Sequence, residues 1–132
     1  MTVHKSAGRR LDLVALRRAI ELRDLDTMLG FYAEDAQVRV LNRAIPQSPP
    51  FELRGKAEIA GYLRALCDED TTRRVGNGVA NEKRIAFSET CEYPNETGIV
   101  VHTTLELSEG KIVGQVDVVV REAREEVGEG SV

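Results

Sequence analysis

The chain has 132 residues, 42% apolar and 30% charged, with a net charge of −4. That length suits one domain with its own core and is short for two, and the composition is that of a folded globular protein rather than a disordered or membrane chain. Lys and Arg are interleaved with Asp and Glu, so no basic strip follows a phosphate backbone and no nucleic acid partner is expected; no apolar run approaches a membrane span, so no membrane partner is expected either.

Residues 1–10, MTVHKSAGRR, carry charge but lead into no apolar stretch, and they read as the flexible start of a cytoplasmic protein. In 11–23, Leu13, Leu16 and Ile20 form one helical stripe with Arg17, Arg18 and Glu21 turned away. A short second helix follows, capped by Asp24 or Asp26, with Leu25, Met28, Leu29 and Tyr32 at helical spacing and an end near Gly30 to Ala33. Ala36 to Asn42 alternates as a strand with Val38 and Val40 inward and Arg39 outward. Arg43 to Pro50 holds Pro46, Pro49 and Pro50 and is expected to be a loop at a pocket mouth. After a short FELR strand, Gly55 opens a third helix striped by Ile59, Tyr62, Leu63 and Leu66, which stops before Asp68-Glu69-Asp70. Four alternating runs, about 72–81, 82–93, 97–107 and 111–121, are divided at Asn81-Glu82, Pro94-Asn95-Glu96 and Glu109-Gly110. A single domain is expected over 11–122, with a disordered acidic tail over 123–132.

Three segments resemble a known superfamily. DLDTMLGFYAEDAQV, LRGKAEIAGYL and SEGKIVGQVD are similar to recurrent stretches of nuclear transport factor 2-like, or SnoaL-like, domains. The resemblance implies an α+β fold: a cone-shaped α+β barrel, with three N-terminal helices packed on a strongly curved, mostly antiparallel sheet that encloses one apolar pocket. Within the superfamily, VANEKRIAFSETCEY is similar to a strand pair of ketosteroid isomerases, and EGKIVGQVDVVVREAREEV to the end of limonene epoxide hydrolases. The catalytic sets do not follow. Where the isomerases carry a carboxylate base, a Tyr and a protonated Asp, this chain has Val40, Leu16 and Thr103. Where the hydrolases carry an Asp–Arg–Asp set with a Tyr and an Asn, it has Cys91, Glu89 and Asp117 with Val38 and Val40. SnoaL-like cyclases use an Asp of the last strand as base, and Asp117 matches that place.

Asp117 stands in GQVDVVV, a run apolar enough for a central strand, where desolvation would raise a carboxylate pKa into the range useful for acid–base work. Strict alternation would instead turn Val116, Val118 and Val120 inward and Asp117 outward; a bulge would reverse that parity, and both readings stay open. Glu89 shares a face with Ile85, Phe87, Cys91 and Tyr93. It is either a second pocket acid or the ion-pair partner of an arginine such as Arg73. His102 falls opposite Asp117 if Glu109-Gly110 makes a two-residue turn without a bulge; the resemblance puts Val101 and Thr103 at pocket positions, which favours an outer, structural place for it.

Catalytic candidates are therefore Asp117, Glu89 and His102. Ligand contacts are expected from Val38, Val40, Tyr62, Asn77, Phe87, Cys91, Val101 and Thr103, with Gln115 and Val119 flanking Asp117. Tyr62 and Tyr32 also read as core aromatics with hydroxyls at a rim, and Asn77 as a bulge residue between its glycines. Cys67 and Cys91 are far apart and read as reduced; two distant histidines make no metal cluster. The chain lacks GxxxxGK[ST] and strand–GxGxxG–helix signatures, so no cofactor is expected. The expectation is a small-molecule pocket protein for an apolar oxygenated ligand, either an acid–base cyclase, isomerase or hydrolase, or a non-catalytic binding or structural member. Val100 and Val118 on the convex sheet face imply a homodimer through that face.

Overall fold

The computed structural model describes residues 11–45, 47–94 and 98–121; the expected flexible start and acidic tail lie outside the described residues. Helix α1 (Leu13–Glu21) begins where Asp12 bends back to accept the Ala15 N–H at 2.8 Å, supplying one of the partners a first helical turn lacks. Of the two candidate caps for α2 (Leu25–Gly30), Asp24 is the one used, taking the Thr27 amide at 3.3 Å and its hydroxyl at 2.7 Å. Strand β1 (Tyr32–Asn42) starts four residues before the alternation suggests, because Tyr32 already pairs with Ile112 instead of closing α2. A short β2 (Phe51–Arg54) leads through Gly55, at φ +87, into α3 (Lys56–Asp68). Strands β3 (Thr72–Ala80), β4 (Arg84–Glu92), β5 (Gly98–Ser108) and β6 (Lys111–Arg121) follow as a meander.

The strand order is β2-β1-β6-β5-β4-β3, antiparallel except where β1 runs parallel to β6. This is the expected α+β arrangement of three helices on a curved sheet, although the sheet is not closed: β2 and β3 remain its edges. Helix α1 covers the β3 edge. Glu21 accepts the Val75 N–H at 2.9 Å, and the bare backbone of Gly78 leaves the room that Leu13 fills, since a Cβ there would stand 2.5 Å from Leu13 Cδ2. Leu16 and Ala19 of α1 and Ile59 and Leu63 of α3 are buried with Val38, Val40, Val75, Ile85, Leu105 and Ile112 from the concave face in one core.

The β5–β6 hairpin sets the register of everything after it. Glu109 and Gly110 are both left-handed, at φ 52 and 78, which is the two-residue turn whose twist matches that of its strands. Ser108 faces Lys111 and Leu107 faces Ile112, but Glu106 then faces Gly114, so Val113 is an extra residue on β6. One inserted residue turns every later side chain to the opposite face. Among the described residues no helix is long and apolar enough to cross a membrane.

Candidate active site

Beyond the Val113 bulge, Asp117 lies opposite Thr103 and His102 opposite Val118. Asp117 thus points into the concave side and is 4% exposed, while Val116 on the other face is 39% exposed. A cavity of about 60 Å³, room for a few water molecules, lies between the sheet and the helices. Leu16, Ile20, Met28, Phe31, Leu63 and Leu105 form its apolar wall, and Asp117 is on its floor.

Four side chains hold Asp117, three directly and one at second hand. Thr103 Oγ1 donates to Oδ1 at 2.8 Å, Tyr62 Oη to Oδ2 at 3.2 Å, and Gln115 Nε2 reaches both carboxylate oxygens at 3.0 and 3.1 Å. The Tyr32 hydroxyl donates to Gln115 Oε1, which fixes the amide with its NH₂ toward the acid. These come from β5, α3, β6 and β1, so the site exists only when helix and sheet are docked. All the donors are neutral. Burial raises the Asp117 pKa and outweighs the lowering by Gln115, Thr103 and Tyr62, because hydrogen bonds return only part of a charged group's lost hydration. Tyr32 and Tyr62 are both raised, by burial first and by the Asp117 charge second. They remain proton donors at any physiological pH.

The other end of the cavity is built differently. Arg73, its side chain 7% exposed, donates to Glu89 at 2.7 Å and to Glu69 at 2.9 Å. Burial alone would lower the Arg73 pKa, and the Glu89 charge with its hydrogen bond more than offsets that. Glu89 lines the cavity but is already the partner of a cation, so the ion-pair reading of this residue is the geometry present. Arg73 also donates to Cys91 Sγ at 3.1 Å. Burial and then the Glu89 charge push the Cys91 thiol up to about 12, which leaves it unsuited to nucleophilic work.

Of the residues singled out from sequence, Asp117, Glu89, Tyr62, Phe87, Thr103 and Gln115 are brought together around the cavity. The others are placed elsewhere. His102 is exposed on the convex face with its Nδ1 2.9 Å from Ser88 Oγ, one residue out of register with Asp117 because of the bulge; its catalytic candidacy is corrected on that ground. Asn77, at φ 53, sits exposed in the irregular Gly76–Val79 step of the edge strand, away from the ligand space. Val38 and Val40 are core residues of β1, on which α3 packs, rather than cavity wall. Val101 and Val119 face each other further along the concave side, past the cavity. Cys91 is buried behind Arg73 instead of at the wall.

Sequence reasoning gave no role to Tyr32 beyond an aromatic at a rim, and missed Arg23 and Cys67 at the cavity. Tyr32 carries no local signal, since its partner Gln115 is 83 residues away. Arg23 left one trace: an arginine where a helix C-terminal turn favours glycine.

Residues 13–115 match the family model described as the SnoaL-like domain. No curated protein matches the chain. Among solved structures, it is similar to a Kribbella flavida DSM 17836 protein provisionally described as a ketosteroid isomerase, with a TM-score of 0.69 at 16% identity over 83% of this chain and 75% of that one. It is also similar to SalBIII, an epoxide hydrolase/cyclase-like enzyme of pyran ring formation in the polyether salinomycin, with a TM-score of 0.60 at 19% identity over 81% and 86%. A de novo designed protein with a curved β-sheet matches as well, with a TM-score of 0.62 at 14% identity over 91% and 96%. At these identities the likenesses carry the fold; a designed chain shares it as readily as an enzyme.

Proposed function

This chain belongs to the SnoaL-like domain family, and from that premise we propose that it is a cofactor-free acid–base enzyme of the isomerase or cyclase kind, acting on a small apolar ligand that carries oxygen. The observation that carries the reading is Asp117: a buried carboxylate on a cavity floor, aimed by three neutral donors, with its pKa raised. A base needs such an environment to be strong enough to take a proton and still near its working pH.

The chemistry follows from that geometry. Asp117 removes a proton from a carbon next to a carbonyl; the C–H bond breaks, an O–H bond forms on the carboxylate, and the electron pair moves onto the carbonyl oxygen. Once Asp117 has taken the proton, Tyr62, kept protonated by burial, turns its O–H from the carboxyl to that oxyanion as a neutral donor. Returning the proton to a different carbon gives an isomer, and attack of the carbanion on an internal electrophile gives a ring. Glu89, neutralised by Arg73, takes no part.

The test is hydrogen exchange at carbon. A panel of cyclic ketones and β-keto esters is incubated with the protein in D₂O and followed by proton NMR. We expect α-hydrogen washout above the buffer rate for some members, lost in Asp117→Asn, with the Asp117 carboxyl titrating above its ordinary 3.8. No accelerated washout for any member, or washout that survives Asp117→Asn, defeats the reading. The second reading, a ligand-binding or structural member without catalysis, is favoured by one observation: Asp117 already has its donors satisfied in a cavity of only about 60 Å³. We also infer a homodimer through the convex face, where Val116 is 39% exposed beside half-buried Val100 and Val118; a mass by light scattering that stays monomeric at high concentration rejects it.

A further inference from the structure

Arg23 occupies the turn between α1 and α2 with a left-handed backbone, φ 56, a conformation that strains a side-chain-bearing residue and costs glycine almost nothing. Its side chain is half-buried and lines the cavity. Arg73 has two carboxylates, whereas Arg23 has no carboxylate within 4.0 Å among the described residues. The adjacent Asp24 is turned away to cap α2 on Thr27. A half-buried guanidinium at a cavity wall without a carboxylate partner is a fork of donors matched to a carboxylate.

Arg73 lines the same cavity, and its Nε is buried without a hydrogen-bond partner, an uncommon state for a buried N–H. Both arginines line the same cavity as Cys67, near the end of α3. Ile20, Leu66 and Phe87 line the same cavity as Asp117.

We propose that the Arg23 end of the cavity is an anion subsite that takes the carboxylate of an otherwise apolar acid, so that the far end of that acid meets Asp117. The subsite favours a monoanion: Arg23 and Arg73 balance Glu89 and Glu69, so a carboxylate brings that end to one net negative charge and a dianion such as phosphate to two. The last clause of the proposal rests on the acid–base reading of Asp117, and the subsite itself does not.

The probe is butyrate against its methyl ester, titrated by amide chemical shifts at fixed ionic strength into wild type, Arg23→Gly, Arg23→Gln, Arg23→Lys and Asp117→Asn. Arg23→Gly suits the backbone of the turn, so its melting temperature should equal or exceed that of wild type. We expect the carboxylate to bind at least about ten-fold more tightly than the ester, the advantage to vanish in both neutral Arg23 variants, and Arg23→Lys and Asp117→Asn to keep it. Equal binding of acid and ester, no binding of either, or an advantage that outlives the loss of Arg23 overturns the subsite. Failure of the Asp117 reading shows separately, as absent carbon exchange with the carboxylate advantage intact.

Discussion

The two acids on the cavity wall are handled in opposite ways. Glu89 sits against a guanidinium, 2.7 Å from Arg73, and its charge is cancelled where it stands. Asp117, more deeply buried, has only a hydroxyl, a phenol and an amide. A cation would have made Asp117 a fixed anion of low basicity, whereas neutral donors orient the carboxylate and leave its proton affinity high. Within one cavity, the choice of neighbour separates a structural charge from a chemical one.

Removing the cation tests the structural side most severely. Arg73→Met should lower stability by about 3–5 kcal/mol in urea denaturation, because it strands Glu89, whose side chain is 12% exposed, without its partner. The double variant Arg73→Met with Glu89→Leu should recover most of that loss; a single variant as stable as wild type would mean that the pair is no more than a surface bridge.

On the other side, Tyr62→Phe removes one neutral donor, a long one at 3.2 Å, and should cost about 0.5–1.5 kcal/mol while moving the Asp117 carboxyl further up by NMR. An unchanged titration would show that the phenol does not act on the acid.

The smallest net change in stability is expected from Asp117→Asn, and its sign should depend on pH. The folded-state pKa of Asp117 is raised, so the folded form holds its proton more tightly than the unfolded chain. This stabilisation is complete below the unfolded value of 3.8 and is lost as pH rises through the higher folded value. Asp117→Asn should therefore gain on wild type between pH 4 and pH 7.5. A difference that is flat with pH, measured by denaturation at both ends, would remove the contrast between the two acids.

Much of the fold was legible locally. The stripes of Leu16 and Ile59, the cap at Asp24, the Glu109-Gly110 turn and the four alternating runs are short-range patterns, and each corresponds to an observed element. The site was legible only in part. Asp117, Glu89, Tyr62, Phe87, Thr103 and Gln115 could be singled out by residue type, face and family resemblance, but their company could not. Tyr32 and Gln115 are 83 residues apart, Tyr62 and Asp117 are 55 apart, and no spacing in the chain announces either pair.

What the sequence determined by itself is the set of elements and their order, because capping, turn chemistry and apolar periodicity act within a few residues of each other; the family's fold came from the resemblance of three segments. What only the tertiary structure decided is which face of β6 meets the cavity. The extra residue at Val113 arises from fitting β6 to β5 and β1 together, and by shifting the register by one it sends Asp117 inward and leaves His102 outside. The same docking of α3 over the sheet places Tyr62 on Asp117 and makes a carboxylate in an apolar strand into a held acid.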